Sequence, residues 1–217
     1  AHTGNKSFEK EKIYTYISDG GIQEEISQGA GRLAGYLGLD NLVMFYDSNG
    51  IQLSTTCEDV SAEDTAMKYR AWNWNVLEID GNDCEAIRGA LLAAHEEHNR
   101  PTLIIGKCVM GKGCLRADGT SYENDCGTHG CALGEGAYEN TIKNLGGNPG
   151  NPFVVWKETE TLYAERKLEL KELVAQRKKE ENEWAAANPE KARKLEDWFA
   201  NRLPEIDWET IEQKPGK

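Results

Sequence analysis

Two short polar turns near the start of the chain carry oxygen atoms that could hold a metal ion. Asp19 and Gly20 follow one apolar segment, and Asn49 ends a second polar turn about thirty residues later. That spacing fits one strand–helix–strand unit, which places the carboxyl ends of both strands at one edge of a parallel sheet. A carboxylate, a side-chain amide and the Ile51 carbonyl suit Mg²⁺, whose shell is often completed by substrate phosphates. The turns therefore predict a magnesium–diphosphate site with Asp19, Asn49 and Ile51 as ligands.

Strand and helix patterns alternate around these turns. Strands are predicted where β-branched or continuous apolar residues occur, at 13–17, 42–46, 76–79 and 101–109. Helices are predicted between and after them, at 22–38, 61–72 (with Ser61 as N-cap), 83–98 and 136–145. Gly29, Gly31 and Gly35 in the first helix are expected where another backbone packs closely. The alternation predicts an α/β fold, a three-layer sandwich with a mainly parallel sheet.

The second half of the chain is less periodic. Residues 110–135 form a long glycine-rich segment, and a loop of this length in a compact domain is usually functional or disordered. Residues 157–201 are predicted to form one or two charged helices separated near Pro189. We therefore expect a partial α/β domain over residues 1–150 and a helical extension over residues 151–217.

Composition excludes several classes of function. With 25 basic and 37 acidic residues the net charge is −12, which argues against nucleic-acid binding. No apolar run approaches the roughly 20 residues that a membrane-spanning helix needs. Six cysteines form no CxxC pair, so we expect free thiols and a cytoplasmic location. The spacing of Cys126, His129 and Cys131 matches no common zinc module.

The polar turns alone also fit ordinary turn sequences without a ligand. A longer sequence pattern that contains both turns favours a ligand site instead. The stretch SDGGIQEEISQGAGRLAGYLGLDNLVMFYDSNGIQL resembles the thiamine-diphosphate motif of transketolases. The segments YRAWNWNVLEIDGND, RPTLIIGK and THGCALG resemble further transketolase segments, in the family's order. The resemblance extends from about Lys12 to Trp208. It implies the thiamine-diphosphate-binding fold, truncated on its N-terminal side and followed by C-terminal helices.

The resemblance also implies roles for single residues. Asp19, Asn49 and the carbonyl of Ile51 would bind Mg²⁺, and Gly20 and Asn49 would contact the diphosphate of thiamine diphosphate. The segment departs from the family pattern without removing a metal ligand, at Ser18, Glu25, Gly29 and Ala132.

Two further residues are implied as catalytic and cofactor-binding groups. Glu24 matches a glutamate near the dimer interface, in a carboxylate network that reaches toward the cofactor's pyrimidine ring. His129 matches a histidine that contacts cofactor and sugar substrate, where a neutral imidazole can donate to a hydroxyl and move protons near pH 7.

The implied activity is two-carbon ketol transfer between sugar phosphates in a homodimer. The family's upstream segment and pyrimidine-binding domain are not in this sequence, so we expect the chain to be inactive without those segments or a second subunit. A truncated sheet would leave an open edge, so self-association is expected. The alternatives are a non-catalytic remnant, a Mg-phosphate-binding module, or another thiamine enzyme such as a deoxyxylulose-phosphate or dihydroxyacetone synthase.

Overall fold

The centre of the molecule is a parallel four-stranded sheet with the strand order β1-β2-β4-β3. The computed structural model describes residues 11–202 and 205–211. The strands are β1 (Ile13–Ser18), β2 (Leu42–Ser48), β3 (Asn75–Asp80) and β4 (Thr102–Lys107). The two continuous apolar runs became the two central strands, because a central strand is covered on both faces. In contrast, β1 is at an edge and exposes most of its residues.

Helices cover both faces of the sheet, so the predicted three-layer α/β architecture is confirmed. One face packs Met44, Tyr46 and Leu103 against the first three helices. The other face packs Val43 and Ile104 against the fourth. The helices of this part are α1 (Asp19–Gln23), α2 (Glu25–Leu37), α3 (Thr65–Ala71), α4 (Cys84–Glu96) and α5 (Ala137–Asn144).

Two helix predictions were wrong in detail. The single helix expected over residues 22–38 is two helices, because Glu24 has extended backbone angles (φ −64°, ψ 135°). The helix expected to begin at Ser61 begins at Thr65, because the carboxylate of Asp64 accepts a hydrogen bond from the backbone N–H of Met67 at 2.8 Å. Asp64 is therefore the N-cap, while the Ser61 hydroxyl accepts a hydrogen bond from Glu63 N.

The long glycine-rich segment is ordered by local hydrogen bonds. An isolated antiparallel bridge joins Leu115 to Ser121, and Asn124 exchanges two hydrogen bonds with Met110. A 3₁₀ turn follows over Cys126–Thr128. The strand before this segment ends at Lys107, two residues earlier than predicted.

The described residues after Val154 form a separate compact unit. It contains α6 (Lys157–Ala187) and α7 (Pro189–Phe199), which are separated at Asn188 as predicted, and a 3₁₀ turn over Trp208–Thr210. No residue of α6 is buried. No helix in the described ranges is long and apolar enough to cross a membrane. The domain boundary at residue 150 stays a prediction.

Candidate functional site

The structure brings the two polar turns together around the carboxylate of Asp19. Asp19 lies where β1 passes into α1 and exposes only 2% of its surface. Its Oδ1 accepts a hydrogen bond of 2.6 Å from the Tyr46 hydroxyl. Its Oδ2 accepts hydrogen bonds of 3.1 Å from the backbone N–H groups of Asn49 and Gly50. The carboxylate thus fixes the second turn to the first.

The second turn presents two more oxygen atoms beside this carboxylate. The amide oxygen of Asn49 accepts a hydrogen bond of 2.9 Å from Ile51 N. The backbone of Gly50 is left-handed (φ 75°), which favours glycine. Ile51 is buried, and no donor in the described ranges reaches its carbonyl oxygen. Each of these oxygens therefore keeps acceptor capacity for a further ligand.

The chemistry of this donor set fits a hard divalent cation. Within the described residues, every hydrogen bond that Asp19 accepts comes from a neutral group, and a buried anion without a cationic partner is costly. In residues 11–202 and 205–211, no three His, Cys, Asp or Glu side chains group closely enough to hold a metal. A cation here would need Asn49 and Ile51 in addition to Asp19. Burial, followed by the hydrogen bond to Asp19, raises the pKa of Tyr46, so its phenol remains a donor.

A cavity of about 480 Å³ opens beside Asp19, within the size range of small-molecule sites. Its lining includes Tyr46, Cys57 and Lys107. Gly20, Asn49 and His129 do not contribute to that lining. The predicted metal ligand Asp19 therefore lines this cavity, whereas the residues predicted to contact the diphosphate do not.

Gly20 and Glu24 lie on the exposed side of the first turn. An ideal β-carbon at Gly20 would meet nothing within 4 Å, so a bound group has room to approach. Glu24 is exposed at the break between α1 and α2. In the described chain, no hydrogen bond joins Glu24 to Asp19 or to the second turn. The helix that begins at Asp19 has only five residues, not the long helix that the sequence predicted.

His129 follows the 3₁₀ turn in the glycine-rich segment. Its backbone N–H donates to Cys126 O at 3.0 Å, and its ring is half-buried. The ring atom Nδ1 is buried and has no hydrogen-bond partner within the described residues. Such a group is costly to leave unpaired. The structure thus leaves this imidazole free to pair with a ligand, but no hydrogen bond within the described ranges links it to Asp19 or Asn49.

Sequence reasoning missed the role of Tyr46. The apolar run 42–46 predicts only a buried strand residue at this position, but the Tyr46 hydroxyl is the side-chain partner of Asp19. A tyrosine in an otherwise apolar run is a usable signal, because a buried tyrosine hydroxyl usually needs a hydrogen-bond partner. That Asp19 is this partner could be seen only from the folded structure.

Comparison with known proteins places the chain in a family. Residues 2–204 match the family model described as transketolase, thiamine diphosphate binding domain. A transketolase from Vibrio parahaemolyticus is 36% identical over 201 residues, covering 90% of this chain and 28% of that relative. A dihydroxyacetone synthase from Pichia angusta is 32% identical over 202 residues, covering 92% of this chain and 28% of that relative. The chain thus spans somewhat more than a quarter of these relatives.

Solved structures agree with this assignment. A mutant transketolase from Pichia stipitis, in complex with xylulose-5-phosphate, matches with a TM-score of 0.81 at 27% identity. The match covers 93% of this chain and 29% of that one. The transketolase from Leishmania mexicana matches with a TM-score of 0.78 at 26% identity, over 94% of this chain and 30% of that one. The chain therefore belongs to the transketolase family and represents its thiamine diphosphate binding domain.

Proposed function

We propose that this chain holds the magnesium–diphosphate end of thiamine diphosphate in an enzyme of two-carbon ketol transfer. Asp19, Asn49 and the Ile51 carbonyl would bind the Mg²⁺. The observation that carries this proposal is the buried Asp19 carboxylate, whose donors among the described residues are all neutral and which fixes the second turn. A magnesium ion at this point would offset the cost of the buried charge.

The remaining residues would bind and orient. Gly20 and Asn49 would contact the diphosphate, and the open space at Gly20 supports this role. His129 would contact the cofactor and a substrate hydroxyl, which its unpartnered Nδ1 supports. Glu24 would belong to a carboxylate network toward the pyrimidine ring, and its exposure leaves it available to a second subunit.

The chemistry that the cofactor supplies is nucleophilic attack on a ketose carbonyl and storage of negative charge on the two-carbon unit. The protein must bind, orient and move protons around that centre. The chain spans only 28% of the transketolase relative cited above. We therefore propose that the activity needs further segments or a second subunit, in a homodimeric enzyme, and that this chain alone is inactive.

Sugar phosphates are the proposed substrates. Transketolase structures from Pichia stipitis carry xylulose-5-phosphate, sedoheptulose-7-phosphate or fructose-6-phosphate. This supports ketose phosphates as donors in the pentose phosphate pathway. The six free cysteines support a reducing, cytoplasmic compartment.

Dihydroxyacetone synthesis is the second candidate, because two synthases of this kind are 32% and 30% identical to the chain. Dihydroxyacetone has three carbons, so its synthesis by two-carbon transfer needs a one-carbon aldehyde as acceptor. An aldose phosphate acceptor would indicate transketolase activity instead. A non-catalytic module would bind the cofactor and turn over neither acceptor, even with the completing segments present.

The test is a calorimetric titration of thiamine diphosphate into the folded chain, with and without Mg²⁺. We expect magnesium-dependent binding that is lost in Asp19→Asn. The matched control is Asp83→Asn, which makes the same chemical change at the N-cap of α4, where Asn caps as well as Asp. Binding that persists without magnesium, or in Asp19→Asn, would contradict the proposed ligand. Incubation of the chain with xylulose-5-phosphate and an acceptor should give no product.

A further inference from the structure

The acceptor positions of Asp19 are almost fully used. An ionised carboxylate offers about four lone-pair positions, two on each oxygen. The N–H groups of Asn49 and Gly50 occupy Oδ2, and the Tyr46 hydroxyl occupies one position on Oδ1. Among the described residues no other N–H or O–H group donates to this carboxylate, so one position on Oδ1 is left, open to a weak donor such as the Cys57 thiol or to a cation.

Tyr46 determines how that remaining position is oriented. The side chain exposes 7% of its surface and packs in the same buried cluster as Ile22 and Ile105. Its phenol is held by this packing, as Oδ2 is held by the two backbone donors. Both ends of the carboxylate are thus fixed. Without the phenol, only Oδ2 would be held, by the two backbone N–H groups, and the carboxylate could turn about that end because its side-chain torsion is broad.

We propose that Tyr46 is a positioning residue that makes Asp19 a one-oxygen ligand and thereby sets the preference of the site among divalent cations. The inference depends on the proposed function above. Mg²⁺ takes six ligands in a near-ideal octahedron, whereas Ca²⁺ takes six to eight and accepts both oxygens of one carboxylate. A fixed carboxylate with one open position on one oxygen favours the smaller ion, and a carboxylate that can turn favours the larger.

The test compares Tyr46→Phe with the unmodified chain in separate calorimetric titrations of Mg²⁺ and Ca²⁺, with thiamine diphosphate in excess. Loss of an outer-shell partner usually weakens metal binding by about 10–100-fold. We expect Mg²⁺ affinity to fall by about tenfold and Ca²⁺ affinity to fall much less, so that the Mg²⁺-to-Ca²⁺ preference decreases. The preference ratio is informative because a merely structural role would weaken both ions equally.

Tyr69→Phe is the matched control. It removes another buried phenol from the same cluster, one whose hydroxyl has no partner in the described part of the protein. Its preference ratio should equal that of the unmodified chain, with folding of both variants verified by circular dichroism. An unchanged ratio in Tyr46→Phe would overturn this inference alone. Failure of the unmodified chain to bind either ion would overturn the proposed function and this inference with it.

Discussion

Gly35 of α2 lies directly against the backbone carbonyl of Trp72, where α3 ends. A β-carbon built on Gly35 would clash with that carbonyl oxygen. Neighbouring hydrogen bonds keep the two segments together, since the Trp74 indole N–H donates to Gly31 O at 2.8 Å and the Asn73 amide to Gly35 O at 3.4 Å. The approach of helix to backbone therefore requires a residue without a side chain.

Gly35→Ala is predicted to destabilise the protein, whereas Gly29→Ala is not. The first variant must push α2 away from a backbone atom, at a cost of about 2–3 kcal/mol in the free energy of unfolding. The second adds a β-carbon that meets nothing within 4 Å, so the higher helix propensity of Ala should stabilise by about 0.5–1 kcal/mol. Urea unfolding measures the change in the free energy of unfolding for both variants. Equal changes in the free energy of unfolding would show that the close approach of Gly35 to the Trp72 carbonyl does not affect stability.

These glycines illustrate what sequence could and could not predict. A helix with Gly29, Gly31 and Gly35 predicted a close backbone, and the structure confirms one at Gly35. At Gly31 the neighbours are aromatic side chains of Tyr69 and Trp72, and at Gly29 there is open space. The glycine pattern does not identify the packing partner, because the partner depends on how α2 and α3 pack together on one face of the sheet.

The Tyr69 hydroxyl is buried without a hydrogen-bond partner in the described structure. Because an unsatisfied buried hydroxyl costs about 1–3 kcal/mol, Tyr69→Phe should leave stability unchanged or increase it. Burial also raises the pKa of Tyr69 to about 12. Between about pH 10 and pH 12, only the unfolded chain loses this phenol proton, so the unfolding free energy falls as pH rises.

Urea unfolding of Tyr69→Phe at about pH 8 and pH 10.5 tests both parts. Below pH 10 the phenol is protonated in both the folded and the unfolded state, so it does not make the free energy of unfolding depend on pH. Above pH 10 the advantage of Tyr69→Phe over the unmodified chain should grow with pH. A constant difference would mean that Tyr69 ionises equally in both states. A variant clearly less stable at pH 8 would mean that the hydroxyl has a favourable partner.

The proximity of the two polar turns could be predicted from sequence, whereas the proposed roles of their residues stay predictions. One strand–helix–strand unit is enough to place Asp19 beside Asn49, so spacing sufficed. The role of Tyr46 depends on side-chain direction within β2, and the free Nδ1 of His129 depends on the conformation of a long loop. Neither follows from residue periodicity, because both are set by tertiary packing.

Cys108 is predicted to react much more slowly than the exposed thiols Cys84 and Cys131. Burial, and then Asp47, raise the pKa of Cys108 from 9.0 to about 12. The reactive thiolate at about pH 8 is thereby reduced by roughly 1000-fold, since each pKa unit is a factor of ten. Iodoacetamide labelling followed by peptide mass spectrometry gives the rates. Modification of Cys108 at the rate of Cys84 would contradict the structure.

Replacing the charge beside this thiol should accelerate its alkylation. Asp47→Asn removes a negative charge near Cys108, so its pKa should fall and labelling should speed up by about tenfold while burial still retards it. Asp80→Asn is the control, because Asp80 contributes less than Asp47 to the raised pKa of Cys108. Its effect should be smaller. Equal acceleration by both variants would show that Asp47 does not raise the pKa of Cys108 more than Asp80 does.

Arg116 is predicted to restrain the segment that carries His129. Its guanidinium pairs with Asp125 at 2.6 Å and lies 4.4 Å from the ring centre of Tyr122. The pair is partly exposed, so together these contacts are worth about 1–2 kcal/mol. Arg116→Ala should therefore speed proteolysis within residues 110–128 by about tenfold without a large change in Tm. Arg70→Ala, which breaks an exposed ion pair with Glu78, should leave that rate unchanged. Equal rates in both variants would show that Arg116 does not hold the loop.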